Sequence, residues 1–436
     1  MDPTTTPKQP VTPDTETRRS LSRRRFLKYG LAGLALAAGG GAILRQMFRS
    51  ARETAAQGIF PGGGPSDATW EAWRRRGWVK EARHAAPLGR NVQCHLCPNG
   101  CVLAPGDRGH CRNRVNRDGT LYTLAYGNPC TFHVDPIEKK PLFHFLPATT
   151  VFSLATAGCV FRCLNCQNWD ISQKTPEETK DAAGPSLRPA PEAAGDLTLT
   201  DMTRLTLLPA DVVRYARHAN TPTIAYTYSE PIAYYEYMLD SAREARKAGI
   251  RNAWITCGSI RREPLAELAG VLDAANVNLK SFQDDIYRRL NGGRLQPVLD
   301  TLVTLKERGV WFEVTNLIIP TWTDDVVMIR RMCRWLAERL GPDVPLHFSR
   351  FHPAHKLTHL PPTPAEILLQ ARDIARSEGL RYVYIGNTRG VADAETTFCP
   401  SCKKTVIRRD LFAVTEMNLR DGACGFCKTK IAGVWK

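Results

Sequence analysis

No stretch of this chain is apolar for long enough to cross a bilayer. The longest candidate, Tyr29 to Leu44, has 16 residues, and a spanning helix needs about 20. Acidic residues are in deficit, 43 against 59 Lys and Arg, so the 436-residue chain carries a formal charge of +16. The deficit is uneven. Residues 1–90 hold 16 Lys/Arg and 7 Asp/Glu, which places +9 of the +16 there. The remainder reads as a solvated basic face and does not indicate nucleic-acid binding. Apolar residues are not scarce. At 43% they exclude a disordered protein and allow one large domain with one or two small ones. The 14 cysteines recur at C-x2-C spacing, which favours metal over disulfides.

Residues 1–21 are polar and rich in Pro and Thr. Ser22-Arg23-Arg24-Arg25-Phe26-Leu27-Lys28 then precedes the Ala/Gly-rich apolar run. Adjacent arginines before a weakly hydrophobic segment match a twin-arginine export signal. The alternative is an ordinary basic amphipathic helix. No clean A-x-A site follows, because Arg45, Arg49 and Arg52 intervene. Cleavage near Ala55-Ala56 and retention as an anchor both stay open. Residues 1–55 therefore predict export or attachment at the inner membrane, with a cytoplasmic protein as the alternative.

Residues 56–148 are expected to be a linker and a metal-binding segment. Gly/Pro-rich 57–66 is the linker. Trp70, Trp73 and Trp78 suggest a short helix docked on an apolar surface. Cys94, Cys97, Cys101 and Cys111 follow as C-x2-C-x3-C-x9-C in a Gly/Pro-rich loop. Zinc and an iron–sulfur cluster both suit four such ligands, and disulfides are the alternative. His95 and His110 read as bystanders.

From 149 to 392, β-rich runs alternate with helical ones. Strands are expected at 150–157, 222–229, 250–257, 276–282, 310–319, 345–351 and 381–386. Helices are expected at 231–248, 263–274, 298–308, 324–340 and 364–378. Gly249, Gly309 and Gly379 suit helix C-terminal caps. This is an α/β pattern with a parallel sheet, an open or partial (β/α) barrel. Residues 174–200, low in complexity, read as a flexible insertion. The tail, 393–436, carries Cys399, Cys402, Cys424 and Cys427 as C-x2-C-x21-C-x2-C. That is close to zinc-ribbon spacing; a rubredoxin-like iron site is the alternative.

The most informative motif follows the first strand. Cys159, Cys163 and Cys166 form C-x3-C-x2-C. Thiolates are the normal ligands of a [4Fe–4S] cluster, and three of them leave one iron open to an outside ligand. The motif resembles that of the radical S-adenosylmethionine (SAM) superfamily. The run Cys163 to Gln173 is similar to the AmmeMemoRadiSam-system branch, which is related to the activases of pyruvate formate-lyase. The similarity takes in both outer cysteine groups, roughly residues 90–436, and the Asp135–Phe145 segment, to which residue types assign no chemistry. Asn165 stands where the superfamily usually has an aromatic residue. Asn278-Leu279-Lys280 stands where relatives usually have Asp-x-Lys.

Chemistry in such a barrel gathers at the C-terminal strand ends. Those ends carry Ser229 and Glu230, Asn278 and Lys280, Thr315 and Asn316, Arg350 and His352, and Asn387. The resemblance implies that the Tyr226–Pro231 segment receives the amino group of SAM. Ser229, Glu230, Lys280 and Asn387 are the expected cofactor contacts. Cys257 and Cys333 read as buried apolar side chains. The resemblance implies an enzyme that reductively cleaves SAM to a 5′-deoxyadenosyl radical. An electron donor is then needed, and a protein substrate is suggested. An exported, non-catalytic iron–sulfur electron carrier is the alternative.

Overall fold

From Thr131 the chain lays down one eight-stranded sheet in sequential order. Its strands are β1 (Thr131–Pro136), β2 (Thr150–Ala155), β3 (Thr223–Tyr226), β4 (Arg251–Thr256), β5 (Ala274–Asn278), β6 (Trp311–Ile318), β7 (Leu346–Arg350) and β8 (Val383–Gly386). Strands β2 to β8 are parallel; β1 runs antiparallel to β2 and occupies one edge. Strands β1 and β8 are the two ends of the order, so this is an open barrel. The coordinates are a computed structural model that describes residues 58–181 and 184–436. The expected export leader lies outside the described residues.

All seven expected strands are present, displaced by a few residues. The helix expected at 263–274 ends at Ala269, capped by Gly270. The apolar Val271-Leu272 pair had extended its pattern. Strand β1 was not anticipated. Its six residues include Pro136 and alternate little, as befits an edge strand with few buried side chains. Helices Pro209–His218, Tyr235–Lys247, Arg262–Ala269, Gln296–Glu307, Val326–Trp335 and Ala365–Ser377 form the crossovers, and each buries one face. No helix among the described residues is long and apolar enough to cross a membrane.

The region 174–200 was expected to be flexible, but its described residues are folded. Buried Lys180 donates to the Met202 and Leu205 carbonyls at 2.6 and 3.3 Å. Glu177 pairs with the buried guanidinium of Arg108. Short helical turns at Pro176–Glu178 and Pro191–Asp196 lead into helix Leu199–Arg204. Low sequence complexity concealed these specific polar anchors.

The tryptophan helix spans Asp67–Arg76. Ser66 caps it by accepting from Thr69 N, and left-handed Gly77 ends it. Trp70, Trp73 and Trp78 pack with Val115 and Leu124. Burying each such ring stabilises the fold by roughly 2–3 kcal/mol. The tail closes the N-terminal ends of the strands. Phe143, Tyr382 and Tyr384 pack with Cys399, Val406, Cys424 and Ile431. His144 Nδ1 donates to Ala432 O at 2.6 Å, and His144 Nε2 accepts from Tyr384 Oη at 2.6 Å. The C-terminal strand ends are left to the Cys159–Cys166 loop.

Candidate metal centre

The loop after β2 carries Cys159, Cys163 and Cys166, all partly buried. Each sulphur has a polar neighbour. Cys159 Sγ accepts from Phe161 N at 3.3 Å, Cys163 Sγ accepts from Asn291 Nδ2 at 3.2 Å, and Cys166 Sγ lies 3.1 Å from Ser172 Oγ. The loop backbone is also pinned. Arg162 N and Leu164 N donate to Asn291 O and Leu290 O, both at 2.8 Å. Asn291 ends a π-helical turn, Tyr287–Asn291, a distortion often found at functional sites.

Burial pushes the Cys159 thiol well up, with the charges of Glu230 and Cys163 adding to it. Burial raises Cys163 to about 11, against the pull of the Lys280 ammonium. Bare thiolates are therefore costly here, and bound metal cations would take the place of the protons. The residues fit a cysteine-held iron–sulfur cluster: three thiols in one loop, with donors aimed at sulphur. The buried carbonyl oxygens Asn165 Oδ1 and Asn291 Oδ1 have no hydrogen-bond partner among the described residues.

The expected cofactor contacts lie at the strand ends, as placed. Lys280 Nζ donates to Asn278 Oδ1 at 3.0 Å. Glu230 is buried, and its carboxylate accepts from Thr256 Oγ1 and Cys257 N at 2.7 Å and from Ile232 N at 3.2 Å. Burial raises its pKa against these bonds. Ser229 Oγ donates to Thr156 O at 2.7 Å. Both side chains thus tie the end of β3 to β2 and β4. Asn387 is exposed and left-handed (φ 59°), and bonds Ser349 Oγ at 2.8 Å. Arg350 Nε donates to Thr363 O, and exposed His352 lies 3.3 Å from Asn387 O.

Tyr228 is a left-handed residue (φ 61°), a conformation that is uncommon away from glycine. Two groups hold it. Asn168 Nδ2 donates to its carbonyl at 2.7 Å, and its own hydroxyl donates to Asp135. Asp135 pairs with Lys140 at 2.6 Å and Lys139 at 2.8 Å. The Asp135–Phe145 segment therefore braces the loop after β3.

Sequence reasoning missed Asn291, Ser172 and Asn168 as supports. Asn291-Gly292-Gly293 was the available signal. A Cβ on Gly293 would lie 2.2 Å from the Phe161 ring, so this segment must touch the cysteine loop.

The four N-terminal cysteines are all buried and line one small enclosed cavity. Burial raises Cys101 to about 12 and pushes Cys97 well up, with the charges of Cys94, Cys101 and Cys111 adding to the shift at Cys97. The tail cysteines differ. Cys399 and Cys427 sulphurs are 3.5 Å apart, and those of Cys402 and Cys424 are 3.7 Å apart. A tetrahedral ion with bonds of about 2.3 Å spaces its sulphurs by about 3.8 Å. The tail set could therefore hold one metal ion.

A family model described as the radical SAM superfamily matches residues 153–333. An uncharacterized protein of Methanocaldococcus jannaschii is 43% identical over 356 residues, covering 81% of this chain and 99% of its own. Pyruvate formate-lyase 1-activating enzyme of Escherichia coli K12 is 28% identical over 172 residues; the match covers 38% of this chain and 61% of that enzyme. A solved domain of a pyruvate-formate lyase-activating enzyme from Bacteroides vulgatus aligns with 37% of this chain and 98% of its own. Its identity is 18% and its TM-score 0.34.

Proposed function

The chain belongs to the radical SAM superfamily, and from that premise we propose that it acts on a protein substrate, as an activase-like member of the AmmeMemoRadiSam branch. The observation that carries the site assignment is the Cys159–Cys166 loop, whose three thiols share the C-terminal strand ends with Lys280 and the Tyr228–Glu230 turn. When bound, a [4Fe–4S] cluster and SAM supply a one-electron cleavage to methionine and a 5′-deoxyadenosyl radical, which takes hydrogen from a substrate.

The chain's own residues do the holding. Cys159, Cys163 and Cys166 are the ligands. Asn291, Ser172 and the Phe161 amide set the electronic environment of their sulphurs. Asn165 Oδ1, buried and unpartnered, is an acceptor for a SAM donor group where relatives have an aromatic ring. Glu230 and Ser229 are positioning residues. They fix the backbone of the turn that meets the SAM ammonium, because their own polar atoms already have protein partners. Lys280, whose charge already acts on Cys163, offers a cation to the SAM carboxylate. Asn387 lies at the outer rim.

A macromolecular target suits that rim. Trp169, 44% exposed, stacks on His355 at 5.5 Å directly after the cysteine loop. The related Escherichia coli protein is an activating enzyme by name. The tail is proposed to hold zinc, and the 1–55 leader to direct export or inner-membrane attachment; a full-length protein found wholly in the cytosol would refute that last reading.

The test of the central reading is SAM cleavage. The protein is purified without oxygen, reconstituted with iron and sulfide, reduced and given SAM. The expected product is 5′-deoxyadenosine, absent from a Cys163→Ala control. A filled, reducible cluster that yields none would reject the enzyme in favour of an electron carrier.

A further inference from the structure

We propose that Cys94, Cys97, Cys101 and Cys111 hold a second iron–sulfur cluster, and that it passes electrons to the cluster site at Cys159, Cys163 and Cys166. The relay rests on the proposed function; the metal assignment does not.

Two observations separate a cluster from a zinc ion, and a third is compatible with either. The first is spacing. Among the described residues, only the tail set brings three or more such ligand atoms within 4.8 Å of one another. No three of the N-terminal sulphurs lie that close together, whereas one tetrahedral ion holds all four about 3.8 Å apart. The second is space. The four cysteines surround an enclosed cavity completed by Leu96, Leu103, Gly109, His110, Arg114 and Val160. A single ion leaves no such room between its ligands, whereas irons and bridging sulfides fill it. The third is the donor set. Arg114 Nη1 points at Cys94 Sγ at 3.6 Å, and His110 N donates to Cys101 Sγ at 3.5 Å. Hydrogen bonds to sulphur are among the features that set a cluster's potential. Arg114 is itself held by buried Glu236 at 2.5 Å.

The relay follows from adjacency. Val160 lines the N-terminal cavity, and its chain neighbour Cys159 is a ligand of the other site. Asn99 Nδ2 donates to Val160 O at 3.1 Å. Gly158 is left-handed (φ 93°), and a Cβ there would lie 2.4 Å from Cys111 O. Consecutive Cα atoms are about 3.8 Å apart, so the two sites are separated by on the order of 10 Å. Single electrons cross such a gap readily. Each SAM cleavage consumes one electron. A reduced, low-potential one-electron carrier gives it to the four-cysteine cluster, which hands it on and returns to its oxidised state. No bond changes at that site.

The test uses the full chain with Cys159→Ala, Cys163→Ala and Cys166→Ala combined, purified without oxygen. About two to four irons per chain with matching inorganic sulfide, and a paramagnetic signal on reduction, are expected. Zinc alone, or iron without sulfide, would overturn the cluster. In the unaltered chain, both clusters reduced together should give a broadened, fast-relaxing signal; a simple sum of two isolated signals would overturn the relay. Should the triple variant not fold, Cys97→Ser in the intact chain should remove one of the two signals, and a chain that never held two would refute the proposal. The radical SAM reading is scored separately, by the change that SAM makes to the signal of the three-cysteine cluster.

Discussion

The side-chain amide of Asn291 lies 3.2 Å from Cys163 Sγ, while the carbonyl of the same residue receives Arg162 N at 2.8 Å. One residue at the end of a π-helical turn thus fixes both a thiol and its loop. Replacing Asn291 by Leu removes a donor to sulphur worth about 1 kcal/mol. The three-cysteine cluster is expected to become harder to reduce, by on the order of 50 mV. A potentiometric titration followed by EPR measures this; an unchanged midpoint would exclude the role.

Gly158 has no room for a side chain. Its φ is 93°, and a Cβ would lie 2.4 Å from Cys111 O and 2.6 Å from Asn113 Oδ1. Gly158→Ala should destabilise the chain by about 2–4 kcal/mol and lower the iron bound at both neighbouring cysteine sites. Thermal unfolding with metal analysis decides it. A variant with normal iron and melting temperature would mean that the two loops separate at no cost.

The tail site lies at the strand ends opposite the cluster loop. Cys399→Ser should release one metal equivalent, identified as zinc by mass spectrometry, and lower Tm by on the order of 5–10 °C. SAM cleavage per folded molecule should persist. Its complete loss in a chain that stays folded would give the tail a part in the chemistry.

Lys180 makes stability depend on pH. Burial lowers its pKa from 10.5 to about 7. Below about pH 7 the folded and unfolded chains are both protonated, and the full cost of the buried charge is present. As pH rises from 7 towards 10.5, the folded chain releases the proton while the unfolded chain keeps it, so stability rises. Lys180→Met abolishes this rise. The Tm of the unaltered chain minus that of the variant should therefore grow between pH 7 and 10. A constant difference would show that Lys180 stays charged in the fold.

The parallel strands were legible because each is a short apolar run between helices, and glycines such as Gly249, Gly309 and Gly379 punctuate the turns. The cysteine groups were legible because their spacing is local. What escaped was tertiary. Asn291 meets Cys163 across 128 residues, and Asn113 reaches the Ala157 and Ala233 carbonyls. Glu230 reads as a free carboxylate in sequence, yet three protein donors occupy it. Strand β1 escaped because an edge strand buries too little to show a pattern.

The floor of the sheet bears on how the chain is made. His144 is joined to Ala432 across 288 residues, and Phe145 pairs with Val434. Contacts so distant in sequence form late, because a long loop must close first. The cysteines from Cys94 to Cys166 leave the ribosome well before residue 434 exists. Metal insertion there can therefore precede closure of the floor. A nascent chain stalled before residue 432 would leave His144 and Phe145 without their closing partners, a sticky underside for chaperones to shield until synthesis passes it.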